Sequence, residues 1–215
     1  MKLFASWSGG KDCMLALHRA SKNQSYEIAA LVNMCNADNH YSRSHGLPDK
    51  WIHEQAENMN IPLVQKGTRV KEYEQNLKVV IDQLKEQGVE GGIFGDIYLQ
   101  EHRDWIVRVC NDMGITPLFP LWHNNTVDLL LEFIESGFKS LVVSVRRDKL
   151  GKEWLGRTLN RQFLEDIKVA GNIDPCAENG EFHTFVFDGP LFAQPLEFQM
   201  NGSREDDKHW FLELT

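Results

Sequence analysis

The chain has 215 residues, 42% of them hydrophobic, with 23 Lys and Arg against 31 Asp and Glu and a net charge of −8. That length suits one full domain or a domain with a smaller appendage, and the apolar share is enough for a core. The acidic balance and the absence of a dense Lys/Arg run argue against a broad nucleic-acid footprint, and no stretch of about 18 apolar residues is present to cross a membrane.

The apolar run before Gly9-Gly10-Lys11-Asp12 is too short for a secretory h-region. Cys13, Cys35, Cys110 and Cys176 form no CxxC or CxxH pair. Free thiols, a cytoplasmic location and no protein-built metal site are therefore expected.

In chain order, Lys2–Trp7 reads as a strand ending in a glycine turn, and Met14–Ala20 has helical apolar spacing. Ile28–Met34 is a continuous apolar run, as in a strand buried on both faces. Cys35–Lys50 is polar and reads as a long loop, followed by a helix over Trp51–Met59 and a strand over Ile61–Val64. Val70–Gln87 is a helix stopped by Gly88, Gly92–Phe94 a strand, and Gln100–Met113 a helix stopped by Gly114. Ile115–Leu118 reads as a strand, Val127–Ile134 as a helix and Leu141–Val145 as a sixth buried strand. Strands alternating with helices imply a parallel sheet covered on both faces. Beyond Arg146 the pattern changes: a helix over Trp154–Lys168, then strands over Phe182–Phe187, Leu196–Met200 and His209–Leu214. The expected division is a first domain over 1–146 and a small lobe with antiparallel strands over 147–215.

The strongest local signal is Ser6-Trp7-Ser8-Gly9-Gly10-Lys11-Asp12-Cys13, between the first strand and the first helix. Glycines let the backbone approach phosphate oxygens, and a helix N-terminus presents unpaired N–H groups to an anion. Ser8 adds a hydroxyl donor and Lys11 a positive charge. Two glycines alone would be no more than a tight turn; the whole string at this place is more specific. It is not a Walker A loop. It resembles the SGGxDS signature of PP-loop ATP pyrophosphatases, which cleave ATP between the α and β phosphates. Cys13 stands where that signature has Ser. Its backbone N–H still serves the cradle, while a thiol at a helix N-terminus is alternatively a reactive group.

A second constellation follows the fourth strand. Gly95-Asp96 lies where α/β sheets bind ligands, beyond the carboxyl end of a strand, so Asp96 is placed to meet a substrate amine or a metal. Arg103 suits bidentate contact with phosphate or carboxylate. The plain alternative for Glu101, His102, Arg103 and Asp104 is a solvated helix start.

The third is Asp174-Pro175-Cys176-Ala177-Glu178-Asn179-Gly180-Glu181-Phe182-His183-Thr184, with Asp188-Gly189-Pro190 after it. Asn-Gly alone is a common hairpin turn, and Phe182 and Phe185 read as core. The string Glu-Asn-Gly-Glu-Phe-His-Thr resembles the Glu-Gly-Gly-Glu-Phe/Tyr-x-Thr signature of the diphthine–ammonia ligase family. Ser44-His45-Gly46, Gly95-Asp96 and Trp154-Leu155-Gly156-Arg157 also fall where that family has them. Asn179 replaces a glycine there, and Asn tolerates left-handed backbone.

The resemblance implies an α/β fold with a HUP-type parallel sheet, helices on both faces and a small C-terminal lobe. It implies an AMP-forming carbon–nitrogen ligase that uses ATP and Mg2+ to adenylate a carboxylate, protein-borne or small, and transfers ammonia to it. Ser6, Ser8, Gly9, Gly10, Lys11, Asp12 and Cys13 would bind ATP. Lys11, Asp12, Asp96 and Glu181 would carry the chemistry. Ser44, His45, Gly95, Asp96, Arg103, Glu178, Asn179, Glu181, His183 and Thr184 would meet the substrate. Expected partners are ATP, the carboxylate, ammonium and optionally a second copy of the chain as a homodimer, with no membrane and no nucleic acid. Two rival readings are another PP-loop ATP pyrophosphatase with a different acceptor, in small-molecule amidation or tRNA modification, and a non-catalytic adenine-nucleotide sensor. The missing CxxC, the lack of a glutaminase domain and the acidic charge count against the first.

Overall fold

The computed structural model describes residues 1–38, 41–42 and 45–215. Strands β1 (Lys2–Ser6), β2 (Glu27–Asn36), β3 (Leu63–Thr68), β4 (Gly91–Ile93) and β5 (Thr116–Leu118) form a parallel sheet in the order β3-β2-β1-β4-β5. Helices α1 (Lys11–Ser21), α2 (Asp49–Asn58), α3 (Tyr73–Glu86), α4 (Gln100–Met113) and α5 (Thr126–Glu135) connect or follow these strands. Both faces are covered, which is why the strands read as unbroken apolar runs. Leu3, Ala5 and Leu31 pack with Met14, Leu17 and Ile52 on one face. Phe4, Ala30 and Val32 pack with Leu77, Ile81, Ile106 and Val109 on the other.

The sixth strand departs from expectation. β6 (Lys139–Arg146) does not extend the parallel sheet but pairs antiparallel with β7 (Phe182–Asp188) and β9 (His209–Leu214). With β8 (Met200–Glu205) these make a four-stranded sheet in the order β7-β6-β9-β8. The cause of the misreading is physical. β6 is central and buried on both faces, with Val142 and Val145 in one core and Leu141 and Val143 in another. A central strand has the same apolar signature in either kind of sheet.

Three further bounds shift. The helix expected over Trp154–Lys168 is broken: Gly156 adopts φ 76°, its N–H donates to the Val142 carbonyl, and residues 156–159 run beside β6. Helix α6 (Arg161–Ala170) then starts at Asn160, whose side chain accepts from the Phe163 N–H at 2.8 Å. β8 lies in the polar stretch after Leu196, an exposed edge strand with no apolar signal, while Leu196 joins the core. β3 begins after Pro62, which has no N–H to give a ladder. Among the described residues no helix is long and apolar enough to cross a membrane.

Candidate active site

The chain order puts the switch point of the first sheet between β1 and β4, because β2 and β3 lie to one side and β4 and β5 to the other. Such a crevice beyond the strand ends is where doubly wound sheets bind ligands. A cavity of about 850 Å³ opens there. The 6–13 turn and the Gly95-Asp96 loop line it from the first sheet, and 177–180 with 182–184 line it from the second.

The turn is built to bring backbone close. Gly9 has φ 83°, and a Cβ there would come within 2.8 Å of Gln55 Oε1. A Cβ on Gly95 would come within 2.9 Å of the Asp12 carbonyl carbon and the Cys13 nitrogen, so the β4 loop rests on the first turn of α1. Gly10 caps α1 without a side-chain bond, and the Lys11 N–H donates to Thr184 Oγ1 at 3.0 Å. The N-terminus of α1 thus faces the cavity with the second sheet as its far wall.

Lys11 is buried and its ammonium is engaged, donating to Asp12 Oδ2 at 2.9 Å and to the Cys176 carbonyl. Burial works against that charge, but Asp12 together with Cys176 and Glu178 outweighs it and holds the pKa above the ordinary lysine value. Asp12 is raised by burial, with Lys11 opposing. The Cys13 thiol is buried, donates to the Gly10 carbonyl at 3.1 Å and is pushed up in pKa by burial. These are the marks of an inert thiol rather than a reactive one.

Asp96 faces the cavity 3.6 Å from His102, and burial raises its pKa. Glu178 Oε1 accepts from the Ile97 N–H at 2.8 Å, and burial pushes its carboxyl up to about 7. On the other side His45 Nδ1 lies 2.7 Å from the Thr184 carbonyl, which makes it the protonated nitrogen of a neutral ring. Burial lowers the pKa of His45 to about 4. The His183 ring lies against it, tilted by 40° with centroids 4.9 Å apart, and its pKa is lowered well below the ordinary value by burial and then by His45.

Of the expected site residues, Ser6, Ser8, Lys11, Asp12, Cys13, His45, Gly95, Asp96, Glu178, Asn179, His183 and Thr184 line this one cavity. Gly9 and Gly10 form the turn beneath it. Ser44 lies outside the described residues. Two residues stand apart. Arg103 is not in the lining; its guanidinium lies over Phe119 and Trp122 at 5.3 and 5.1 Å. Glu181 is buried behind the turn, where Oε1 accepts from the Asp174 N–H at 3.2 Å and from Asn179 Nδ2 at 3.3 Å.

Sequence reasoning missed Gln55 and Asn33. Gln55 is fully buried on α2. It accepts from Trp7 Nε1 at 2.9 Å and donates to the carbonyls of Gly9 at 2.9 Å and Val186 at 2.7 Å. Asn33 on β2 donates to the Trp7 carbonyl at 2.7 Å. Each was visible as a lone polar residue among apolar neighbours: Gln55 on the face of Trp51, Ile52 and Ala56, Asn33 inside the run of β2. Arg146 and His209 also line the cavity, brought there by the unforeseen place of β6.

A doubly wound sheet with a glycine turn and a helix N-terminus at its switch point defines an α/β protein of the nucleotide-binding class. Residues 1–117 match the family model described as diphthamide synthase N-terminal domain, and residues 125–214 match the diphthamide synthase C-terminal domain. The chain belongs to the diphthamide synthase family. It is 27% identical over 222 residues to a protein of Rattus norvegicus named diphthine–ammonia ligase, covering 91% of this chain and 82% of that one. A Homo sapiens protein of the same name is 28% identical over 225 residues, with the same coverage of each. One from Schizosaccharomyces pombe is 26% identical over 218 residues, covering 91% of this chain and 36% of that longer protein.

Proposed function

We propose that the chain is an ATP-dependent ligase that joins ammonia to a carboxylate through an acyl-adenylate, releasing pyrophosphate and then AMP. The observation that carries this reading is the arrangement across one cavity. A glycine turn and the α1 N-terminus lie on one wall, and a carboxylate-bearing turn of the second sheet lies on the other. The names of the rat and human relatives support the choice of reactants and make diphthine the first acceptor to try.

Adenylation must bring two anions together, so the phosphates need donors separate from those of the acceptor. The backbone N–H groups at the start of α1, with Ser8, would take the phosphates. Lys11 contributes its field rather than a free ammonium, because it ties Asp12 to the Cys176 carbonyl. Among the described residues no three His, Cys, Asp or Glu side chains gather into a metal cage. Asp12 lines the cavity at the start of α1, and Mg2+ is commonly held by phosphate oxygens, one or two carboxylates and water. Asp12 would be the carboxylate, and the ion would offset phosphate charge. Glu178 would take the proton from the attacking nitrogen as the N–C bond forms and the bond to AMP breaks. Glu181 would hold the turn that carries Glu178 and Asn179. The first sheet would thus serve the nucleotide and the second the acceptor. Incubation with ATP, Mg2+, ammonium and candidate carboxylates, followed by chromatography for AMP and amide, tests this. No AMP with any carboxylate, diphthine included, counts against it.

A further inference from the structure

A second cavity, of about 560 Å³, adjoins the first and shares Ser6, Tyr73, Asp96 and His102 with it. None of its lining comes from the second sheet: it lies wholly within residues 6–106, between the ends of β1 and β4 and helices α3 and α4. Its walls are aromatic, from Tyr73, Phe94 and Trp105, with the Tyr73 and Trp105 rings 5.8 Å apart. Its charged groups are the carboxylates of Asp96 and Glu101, with the His102 imidazole 3.6 Å from Asp96; no Lys or Arg lines it.

We propose that this side cavity is the entrance for ammonium, the third reactant of the ligase reaction, and so it rests on that reading. The other two reactants are anions and occupy the main cavity. A cation arriving after them needs a path of opposite character. Ring faces attract a cation, and a cleft lined by one sign of charge raises the local concentration of its counter-ion. The same carboxylates repel phosphate and carboxylate, which keeps the ATP phosphates and the acceptor's carboxylate in the main cavity. Asp96 stands at the junction and faces both cavities, so an ammonium ion held there gives one proton to the Asp96 carboxylate to become ammonia, and Glu178 takes the second as the amide forms and AMP leaves.

The test is steady-state kinetics on Glu101→Lys and Glu101→Gln, chosen because Glu101 is exposed and its replacement leaves the core alone. The KM for ammonium is expected to rise about tenfold in Glu101→Lys and less in Glu101→Gln, with the KM for ATP unchanged. Equal ammonium KM in wild type and Glu101→Lys overturns the proposal, as does an equal rise in both constants. A second measurement needs no turnover. Ammonium chloride is titrated against the Trp105 indole resonance, assigned with Trp105→Phe, with sodium chloride at equal ionic strength as control. A saturable shift with ammonium alone is expected, and identical responses to the two salts overturn the proposal. A wild type that makes no amide yet shows the ammonium-specific shift sinks the ligase reading and leaves this cation site standing.

Discussion

Replacing Gln55 by Glu removes one amide NH2 and nothing else of size. In the native chain that group donates to the carbonyls of Gly9 and Val186, while Oε1 accepts from Trp7. The ionised Glu would set a carboxylate oxygen against two carbonyl oxygens at a fully buried site. The Gly9 carbonyl keeps the Val186 N–H as a donor, so the loss falls on the Val186 carbonyl, about 1–3 kcal/mol before the buried charge is counted. The new carboxyl therefore keeps its proton, and its pKa rises. Protonated, it still accepts from Trp7 and regains one of the two donated bonds. ATP affinity of Gln55→Glu is thus expected to fall by at least about tenfold relative to wild type as the pH rises from about 5.5 to 8.5. Gln55→Met lacks both donors at every pH and should be weak throughout. Calorimetric ATP titration, with thermal melting of each variant, reads both effects. If Gln55→Glu binds ATP like wild type across the range, Gln55 does not hold the phosphate turn.

Glu178→Gln should abolish the ionisation near pH 7 that governs amide formation; wild-type rate should rise through that pH, and the limb should vanish from the variant's profile. His45 is held neutral with its pKa lowered to about 4, so the unfolded chain binds the extra proton between that value and 6.5. Its contribution to stability is full above pH 6.5 and is lost as the pH falls toward 4, up to about 3 kcal/mol. His45→Asn can keep the N–H donor to the Thr184 carbonyl without the titration, so its melting temperature should depend less on acid. Lys11→Met should loosen the 174–181 turn as well as ATP binding, since the Cys176 carbonyl and Asp12 lose a charged donor worth about 1.5–3 kcal/mol. Proteolysis within that turn, faster in the variant than in wild type, checks this.

The glycine turn at the switch point was legible because its chemistry is local: glycine, hydroxyl and helix start lie within eight residues. The five strands of the first sheet and their helices were legible because burial on both faces leaves unbroken apolar runs. What failed was pairing. β6 has the burial of a parallel strand, and only its partners β7 and β9, distant in sequence, show it to be antiparallel. That misplacement also hid Arg146 and His209 from the site. β8 was missed because an exposed edge strand of Met200–Glu205 carries no apolar alternation. Glu178 and Glu181 look equivalent in sequence, flanking one turn. Only the folded turn separates them, sending one carboxylate into the cavity and the other behind it.

The bond cleaved in ATP is the most direct measure of the proposed chemistry. With ATP, Mg2+, ammonium and an amidatable carboxylate, phosphorus NMR of the turnover mixture should show AMP and pyrophosphate rising together, in step with amide. ADP and inorganic phosphate as the products would contradict adenylation at this turn.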